Sequence, residues 1–284
     1  PTGGSGAVTY VRKSSSYDAV SADQAMMGDT IFDPSNTNNC NSTGAAQLMA
    51  NSLFTPIILG VPQPTAAGAT AIQPFLNRNT TWIGYNTRFN NSVKYDTPNF
   101  SGFSGSLMYA FGEDKTPTAN ASKTVSGNLK YSNGPLLISG GYQSETTQNS
   151  VSAAGKPALQ NGIVSVAYDF GVAKVGAGFN RAKYKDVVFA PTGRELAAQK
   201  EWNLSVAVPL GATTLSAGYS QSKGDDLGKS TGFGIQALYA LSKRSTLYAG
   251  AQSTKNFDKL ASFAPVGSSI GRTQTYGLGL RHTF

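Results

Sequence analysis

Apolar and polar residues alternate along most of the chain between about residue 90 and residue 284. In the last segment, Tyr276, Leu278 and Leu280 fall on one face, and Gly277 and Gly279 fall on the other. A period of two is the signature of a β-strand, because successive side chains point to opposite faces. The same pattern recurs in further segments, including those around Leu107, Val166, Leu204 and Ile235. It predicts an all-β protein with about twelve antiparallel strands.

The alternating segments are long, and aromatic residues cluster near their ends. A tilted strand needs about ten residues to cross a bilayer, whereas strands of soluble proteins usually have about five or six. Aromatic girdles at the two membrane interfaces would produce the observed clustering. The aromatic residues concerned are Tyr95, Phe111, Tyr131, Tyr142, Tyr168, Phe179, Tyr219 and Tyr239. The pattern therefore predicts a transmembrane antiparallel β-barrel whose apolar face points outward.

Short turns and longer loops alternate along the same region. The sequence predicts short turns at residues 96–99, 132–135, 169–171, 209–211 and 241–244. It predicts longer polar loops at residues 112–122, 146–158, 186–199 and 223–229. Short turns on one side and long loops on the other are typical of outer-membrane barrels, and the short turns are periplasmic.

The first part of the chain has a different pattern. Residues 6–13 read as one strand, and residues 14–79 are poor in strand pattern and rich in Ala, Asn, Thr and Pro. A loop of this length is normally functional or disordered. Residues 45–52 could form a short helix within it. We expect a single barrel domain over residues 1–284, with a long loop at 14–79 and strands and loops at 80–284.

Composition excludes several classes of function. Charged residues make up 13% of the chain, the net charge is +8, and the basic residues are spread along the segments and form no patch. This spread argues against nucleic acid and leaves an anionic membrane surface or anionic solutes as partners. The lone Cys40 can form neither an internal disulfide nor a structural zinc site, and it reads as a free thiol in a loop. The sequence contains no run of about 18 apolar residues, so it predicts no transmembrane helix.

No catalytic or cofactor site is apparent. The single histidine, His282, lies two residues from the end of the given sequence and has no nucleophile partner nearby in the sequence. No P-loop or dinucleotide fingerprint occurs. We expect no enzymatic activity, no cofactor and no metal.

Four short segments resemble parts of the Gram-negative general porins, in particular the neisserial and β-proteobacterial anion-selective type. They are residues 90–103 (NNSVKYDTPNFSGF), 168–174 (YDFGVAK), 241–248 (LSKRSTLY) and 279–284 (GLRHTF). The resemblance implies a water-filled outer-membrane channel for passive diffusion of small hydrophilic solutes, with a preference for anions. It also implies a homotrimer in which each subunit has its own pore, in contact with outer-membrane lipids and lipopolysaccharide.

The resemblance further implies a barrel of sixteen strands with a long constriction loop that folds into the lumen. Only about twelve strands are read in this sequence, so the first four are expected to be missing from it. A barrel with open edges is not viable in lipid. The missing part would then come from another chain, or be absent only from the given sequence.

Several site residues follow from the resemblance. Arg88 matches the constriction arginine, and alternation places Arg88 and Lys94 on the lumen face. Asp18 matches an acidic residue of the constriction loop. Arg12 matches an arginine at the loop entry, although it follows Val11 where the family has glycine and is out of lumen phase. Phe284 resembles the terminal aromatic residue that the outer-membrane assembly machinery reads.

Two other interpretations stay open from the sequence. The first is a soluble or surface all-β binding protein or adhesin without channel activity, which would dissolve without detergent. The second is a substrate-specific channel, which would need a ladder of aromatic residues or arginines in lumen phase. Basic residues are scattered and no aromatic ladder is visible, so general diffusion is favoured.

Overall fold

A computed structural model describes residues 6–23, 88–146, 149–150, 156, 158–186, 188–189, 194–226, 228–255, 258–259 and 272–283. Twelve long strands form a single antiparallel sheet within these residues. Their bounds are β1 Ala7–Ser14, β2 Arg88–Asp96, β3 Phe103–Phe111, β4 Lys123–Asn133, β5 Leu136–Thr146, β6 Ala158–Asp169, β7 Lys174–Lys185, β8 Gln199–Leu210, β9 Thr213–Gly224, β10 Gly228–Ala240, β11 Ser245–Lys255 and β12 Arg272–His282. A helix, α1, spans Ser16–Asp23. The strand prediction is confirmed in class and in number.

The sheet is an up-and-down meander, because each strand pairs with its neighbours in chain order. Tight turns join the strands on one side. Asn133 pairs with Leu136 across a turn in which Gly134 has a φ of +54°, a conformation that glycine adopts at little cost. The short turns predicted at residues 132–135, 169–171, 209–211 and 241–244 are confirmed. The turn predicted at 96–99 is wrong in its bounds, because β2 ends at Asp96, β3 begins at Phe103, and the positive φ angles that reverse the chain are at Ser101 and Gly102.

One predicted loop is wrong in its bounds. The sequence predicts a polar loop at residues 223–229, but Lys223 pairs with Lys229 and Gly224 pairs with Gly228. Strands β9 and β10 therefore continue through most of this segment, and only three residues connect them. Gly228 has a φ of +81°, which allows the chain to reverse tightly. The two strands can therefore pair through this segment although its residues are polar.

The distribution of side chains is the reverse of that in a soluble protein. Apolar side chains on one face are open to the surroundings, with Leu107 67%, Val164 60% and Leu278 85% exposed. The opposite face carries buried Ser, Thr, Asn and Gln side chains, such as Ser126 and Gln143. Soluble proteins bury apolar side chains and leave most polar ones exposed. The apolar face is therefore the lipid face, and the polar face is the inner face.

The first and last strands have one unpaired edge each within the described residues. β1 pairs only with β2, and β12 pairs only with β11. No helix among the described residues is long and apolar enough to cross a membrane. The predicted helix at residues 45–52, Cys40 and Phe284 lie outside the described residues.

Candidate pore lumen and the helix inside it

Helix α1 lies against the polar inner face of the sheet. It contacts β3, β4, β5 and β6. The chain enters the helix directly from β1 through Ser15, and both Ser15 and Ser16 are buried. An eight-residue helix is not stable in isolation, so tertiary contacts must hold it.

Hydroxyl and amide groups of the wall bind the start of α1. The Ser106 hydroxyl donates to Ser16 Oγ at 2.7 Å, and the Tyr17 backbone N–H donates to Ser126 Oγ at 2.9 Å. The Asn128 side-chain amide donates to the Ser16 carbonyl oxygen. One of the backbone N–H groups that a helix start leaves unsatisfied is thereby paired.

A second group of bonds binds carbonyl oxygens farther along α1. Lys130 Nζ donates to the Ala19 carbonyl oxygen at 2.9 Å, and Ser165 Oγ donates to the Val20 carbonyl oxygen at 3.3 Å. Ser165 is itself 2.6 Å from Ser139, on the neighbouring strand. Alternation places Lys130 on the inner face, but nothing in its sequence context signals that it holds a helix.

A small apolar contact completes the attachment of α1. Val20 is fully buried, and Ile163 of the wall is also buried. Gly141 lies beneath them, and a Cβ placed there would be 3.1 Å from Val20 Cγ2 and 3.4 Å from Ile163 Cγ2. The missing side chain at Gly141 thus makes room for the helix on the wall.

Lys94 lies on the inner face in β2. Its side chain is 14% exposed, and its Nζ is 3.1 Å from Asp96 Oδ1. The next inward position, Ser92, is fully buried, while Val93 and Tyr95 between them are exposed on the other face. The alternation on which the sequence prediction relied holds for this stretch. The role of Lys94 at a constriction stays a prediction.

An irregularity separates this stretch from Arg88. Asn91 has a φ of +48°, and the β1–β2 register shifts between Val11 and Lys13. One strand therefore carries an extra residue, and strict alternation no longer assigns a face to Arg88. The backbone of Arg88 pairs with that of Ser14, the last residue of β1 before α1.

The remaining predicted residues are placed only by their backbone. Arg12 lies in β1 and Asp18 lies in α1, the helix that contacts the inner wall. The side chains of Arg12, Asp18 and Arg88 lie outside the described part of the structure. The constriction role of these residues and of the 14–79 loop stays a prediction.

Two buried carboxylates also face inward. Glu145 and Glu201 are each 5% exposed, and Glu145 Oε1 accepts a 2.6 Å bond from the Gln143 amide. No group of three or more His, Cys, Asp or Glu side chains that could hold a metal occurs in the described ranges. Neither glutamate is among the site residues predicted from the sequence, although alternation places both in inner phase.

An inward polar face and an outward apolar face are typical of outer-membrane β-barrels. Residues 9–259 match the family of Gram-negative porins. The chain belongs to this family. This porin is accordingly an outer-membrane protein, and the family match points to a channel and not to an enzyme.

Individual relatives give the same result. The porin is 29% identical over 237 residues to outer membrane porin protein 32 of Delftia acidovorans, a match covering 76% of this chain and 64% of that protein. It is 26% identical to the solved anion-selective porin of Comamonas acidovorans, with a TM-score of 0.56, covering 69% of this chain and 60% of that one.

A more distant structure shares the fold alone. The trimer form of in-vitro folded OmpT of Vibrio cholerae is 14% identical, with a TM-score of 0.57, and the match covers 98% of this chain and 76% of that one. The chain spans less than two thirds of the length of both the Delftia protein and the Comamonas porin.

Proposed function

We propose that this porin forms a water-filled channel for passive diffusion of small hydrophilic solutes. The observation that supports the proposal is the reversed distribution of side chains, with serine, asparagine and glutamine on the inner face and leucine, valine and aromatic residues outside. Helix α1 on the inner wall would narrow the passage. The apolar outer face argues against the alternative of a soluble binding protein or adhesin, because such a surface is insoluble without lipid or detergent.

We also propose that the channel prefers anions and that the porin is a homotrimer. The described inner face carries both signs of charge, with Lys94 and Lys130 against Asp96, Glu145 and Glu201. The preference therefore depends on Arg88, and it is supported by the net charge of +8 and by the resemblance to an anion-selective porin. Asp18 and Arg12 would complete the constriction.

The test is planar-bilayer conductance of the detergent-extracted protein, with the reversal potential measured in a KCl gradient. We expect stepwise ohmic openings and a reversal potential that is shifted from zero toward the equilibrium potential of chloride. Openings that favour potassium would keep the channel and reject the anion preference. A folded protein that gives no openings would reject the channel.

Replacing Arg88 with Gln should reduce the chloride preference. A charge at a constriction acts at short range and is poorly screened, whereas a charge outside it is screened within about 8 Å at physiological salt. Lys243→Gln is the matched control, because Lys243 is exposed in the short turn between β10 and β11. Equal reversal potentials for the two variants would show that Arg88 does not set selectivity.

Replacing Asp96 with Asn should increase the chloride preference. Asp96 is 3.1 Å from Lys94, so the two charges nearly cancel at this point of the wall. The variant leaves the lysine charge uncompensated and should move the reversal potential further toward chloride. The stability change should be small, about 0–1 kcal/mol, because the Asp96 carboxylate is 42% exposed. A reversal potential that moves toward potassium would contradict this reading of the pair.

A further inference from the structure

Three neighbouring strands carry a cluster of buried polar side chains on the inner face, close to their loop ends. Glu201 lies in β8, and its register partners are Asn180 on β7 and Ser222 on β9. Asn203 follows two residues along β8, and its register partner on β9 is Ser220. We call Asn180, Glu201, Asn203 and Ser220 the acceptor cluster. All four are buried, and none is more than 6% exposed.

The oxygen atoms of the acceptor cluster lack hydrogen-bond partners in the described part of the structure. Glu201 Oε1, Asn180 Oδ1 and Asn203 Oδ1 are enclosed and unpaired, and so is Ser220 Oγ. None of the ion pairs among the described residues includes Glu201. A buried polar group without a hydrogen bond costs free energy, and a buried carboxylate without a counter-charge costs more. A ligand that supplies both hydrogen-bond donors and a positive charge would remove both costs.

Basic side chains of the same strands do not supply that charge, because they point to the other face. Arg181 and Lys200 are the sequence neighbours of Asn180 and Glu201, and Lys223 lies on β9 opposite Lys200. All three basic side chains are exposed, in the outward phase of regularly paired strands. The positive charge that matches the Glu201 carboxylate would therefore come from outside the described residues.

The number of unpaired acceptors fits a primary ammonium group. Such a group has three N–H donors and no acceptor. Glu201, Asn180 and Asn203 offer three acceptor oxygens, and one of them belongs to a charged group. Side chains directly opposite on adjacent strands have Cβ atoms about 4.5–5.5 Å apart, and inward residues two apart on one strand are about 7 Å apart. The three side chains are therefore close enough to converge on one nitrogen atom.

A calcium ion fits the acceptor cluster less well than an ammonium group does. Calcium takes about six to eight oxygen ligands, and the number of charged ligands tunes its affinity. Glu201 is the one carboxylate of the cluster, and it matches the single positive charge of an ammonium group.

Glycines beside the cluster leave space for a small group on the wall. Gly178 on β7 is the other register partner of Asn203, and Gly232 on β10 is the other register partner of Ser220. On the loop side the cluster is bounded by Ser222, whose hydroxyl donates to Gln199 Oε1 at 3.4 Å. The space that the missing side chains leave therefore lies on the side away from the loops.

We infer that the acceptor cluster binds the primary ammonium group of small solutes that enter the channel. The inference deepens the proposed function and rests on it, because a solute reaches the inner face through the lumen. Glu201 is close to the loop end of β8, which begins at Gln199, and the loops of outer-membrane barrels are extracellular. A solute that enters from outside thus meets the cluster in the outer half of the channel. Its ammonium group cancels the charge of Glu201, so the subsite is compatible with an anion preference set elsewhere on the wall.

The test measures how far an ammonium ligand stabilises the intact, folded protein in detergent. Ethylammonium chloride is the probe, and tetramethylammonium chloride is its control, because it has the same charge and no N–H donor. KCl keeps the ionic strength constant, so potassium competes in every sample. A ligand that binds only the folded state raises its stability according to concentration and Kd. We expect ethylammonium to raise the midpoint temperature of unfolding, read by circular dichroism, and tetramethylammonium to leave it unchanged.

Glu201→Gln keeps the size of the side chain and removes its charge. The apparent Kd for ethylammonium should rise at least ~10-fold, because hydrogen bonds to charged groups are the strong ones. Without ligand the variant should unfold at the same or a higher temperature, because an unpaired buried charge is gone. Asn203→Ala removes one neutral acceptor and should raise the Kd about 3-fold. Glu113→Gln, at an exposed position between β3 and β4, is the control and should respond like the wild type.

Three outcomes would overturn the inference. Equal stabilisation by both ammonium salts would show that N–H donors are not recognised. An unchanged response of Glu201→Gln would place the bound ammonium elsewhere. Stronger stabilisation by CaCl2 than by ethylammonium, lost in Glu201→Gln, would make the cluster a metal site. Conductance of the same samples separates the inference from the proposed function: normal openings without an ethylammonium response reject the subsite alone, and a response without openings rejects the channel.

Discussion

Leu204→Lys is expected to reduce the fraction of the protein that folds into lipid. Leu204 lies in the middle of β8 on the outward face and is 51% exposed. A lysine on the lipid face near the bilayer midplane costs about 2–4 kcal/mol, because the ammonium group loses its hydration. That is a large part of the stability of an ordinary domain. The fraction folded after insertion into liposomes, read from mobility on unheated gels, measures the loss.

Asn203→Lys is the matched control one residue away. Asn203 points to the inner face, and its paired neighbours Gly178 and Ser220 are small enough to leave room for a longer side chain. Asn203 is 4% exposed, so the ammonium group must extend past this position toward the lumen to stay hydrated. The folded fraction should fall less than in Leu204→Lys, and the reversal potential should move toward chloride. A similar loss of folding in both variants would reject the assignment of the two faces.

The sequence predicts the faces of the strands well, because membrane strands alternate strictly wherever the pairing is regular. Ser92 and Lys94 lie on the inner side and Val93 and Tyr95 on the outer side, as the alternation predicts. The prediction weakens at Asn91, where a positive φ changes the register. Asparagine tolerates this conformation, but no pattern of hydropathy reveals when it is used.

Helix α1 could not be found from the sequence in the same way. Its residues, SYDAVSAD, show no apolar stripe at helical spacing and begin the segment that was expected to be a loop. What holds the helix is distant in sequence: Lys130, Ser165 and the space above Gly141. These contacts depend on the folded sheet bringing β4, β5 and β6 against α1, which local patterns do not encode.

Gly141→Val should narrow the pore by pushing α1 off the wall. A Cβ at Gly141 would already be 3.1 Å from Val20 Cγ2, and the two methyl groups of valine reach farther. The helix is bound to Ser126 and Lys130, so we expect it to shift toward the pore axis and not to detach. Overpacking of this kind costs about 1–3 kcal/mol. Single-channel conductance should fall, and urea unfolding in lipid should occur at a lower concentration.

The neighbouring glycine provides the control. A Cβ at Gly140 points to the outward face and meets nothing nearer than 3.7 Å, so Gly140→Val should leave conductance unchanged. Adding Val20→Ala to Gly141→Val removes the clash and should restore much of the conductance and the stability. Coupling between two residues in contact is typically about 0.5–3 kcal/mol. Two results would show that α1 does not set the width of the pore: an equal fall in conductance in Gly140→Val, or no recovery of conductance when Val20→Ala is added. In either case the loss of conductance would come from a change in β5 and not from a shift of α1.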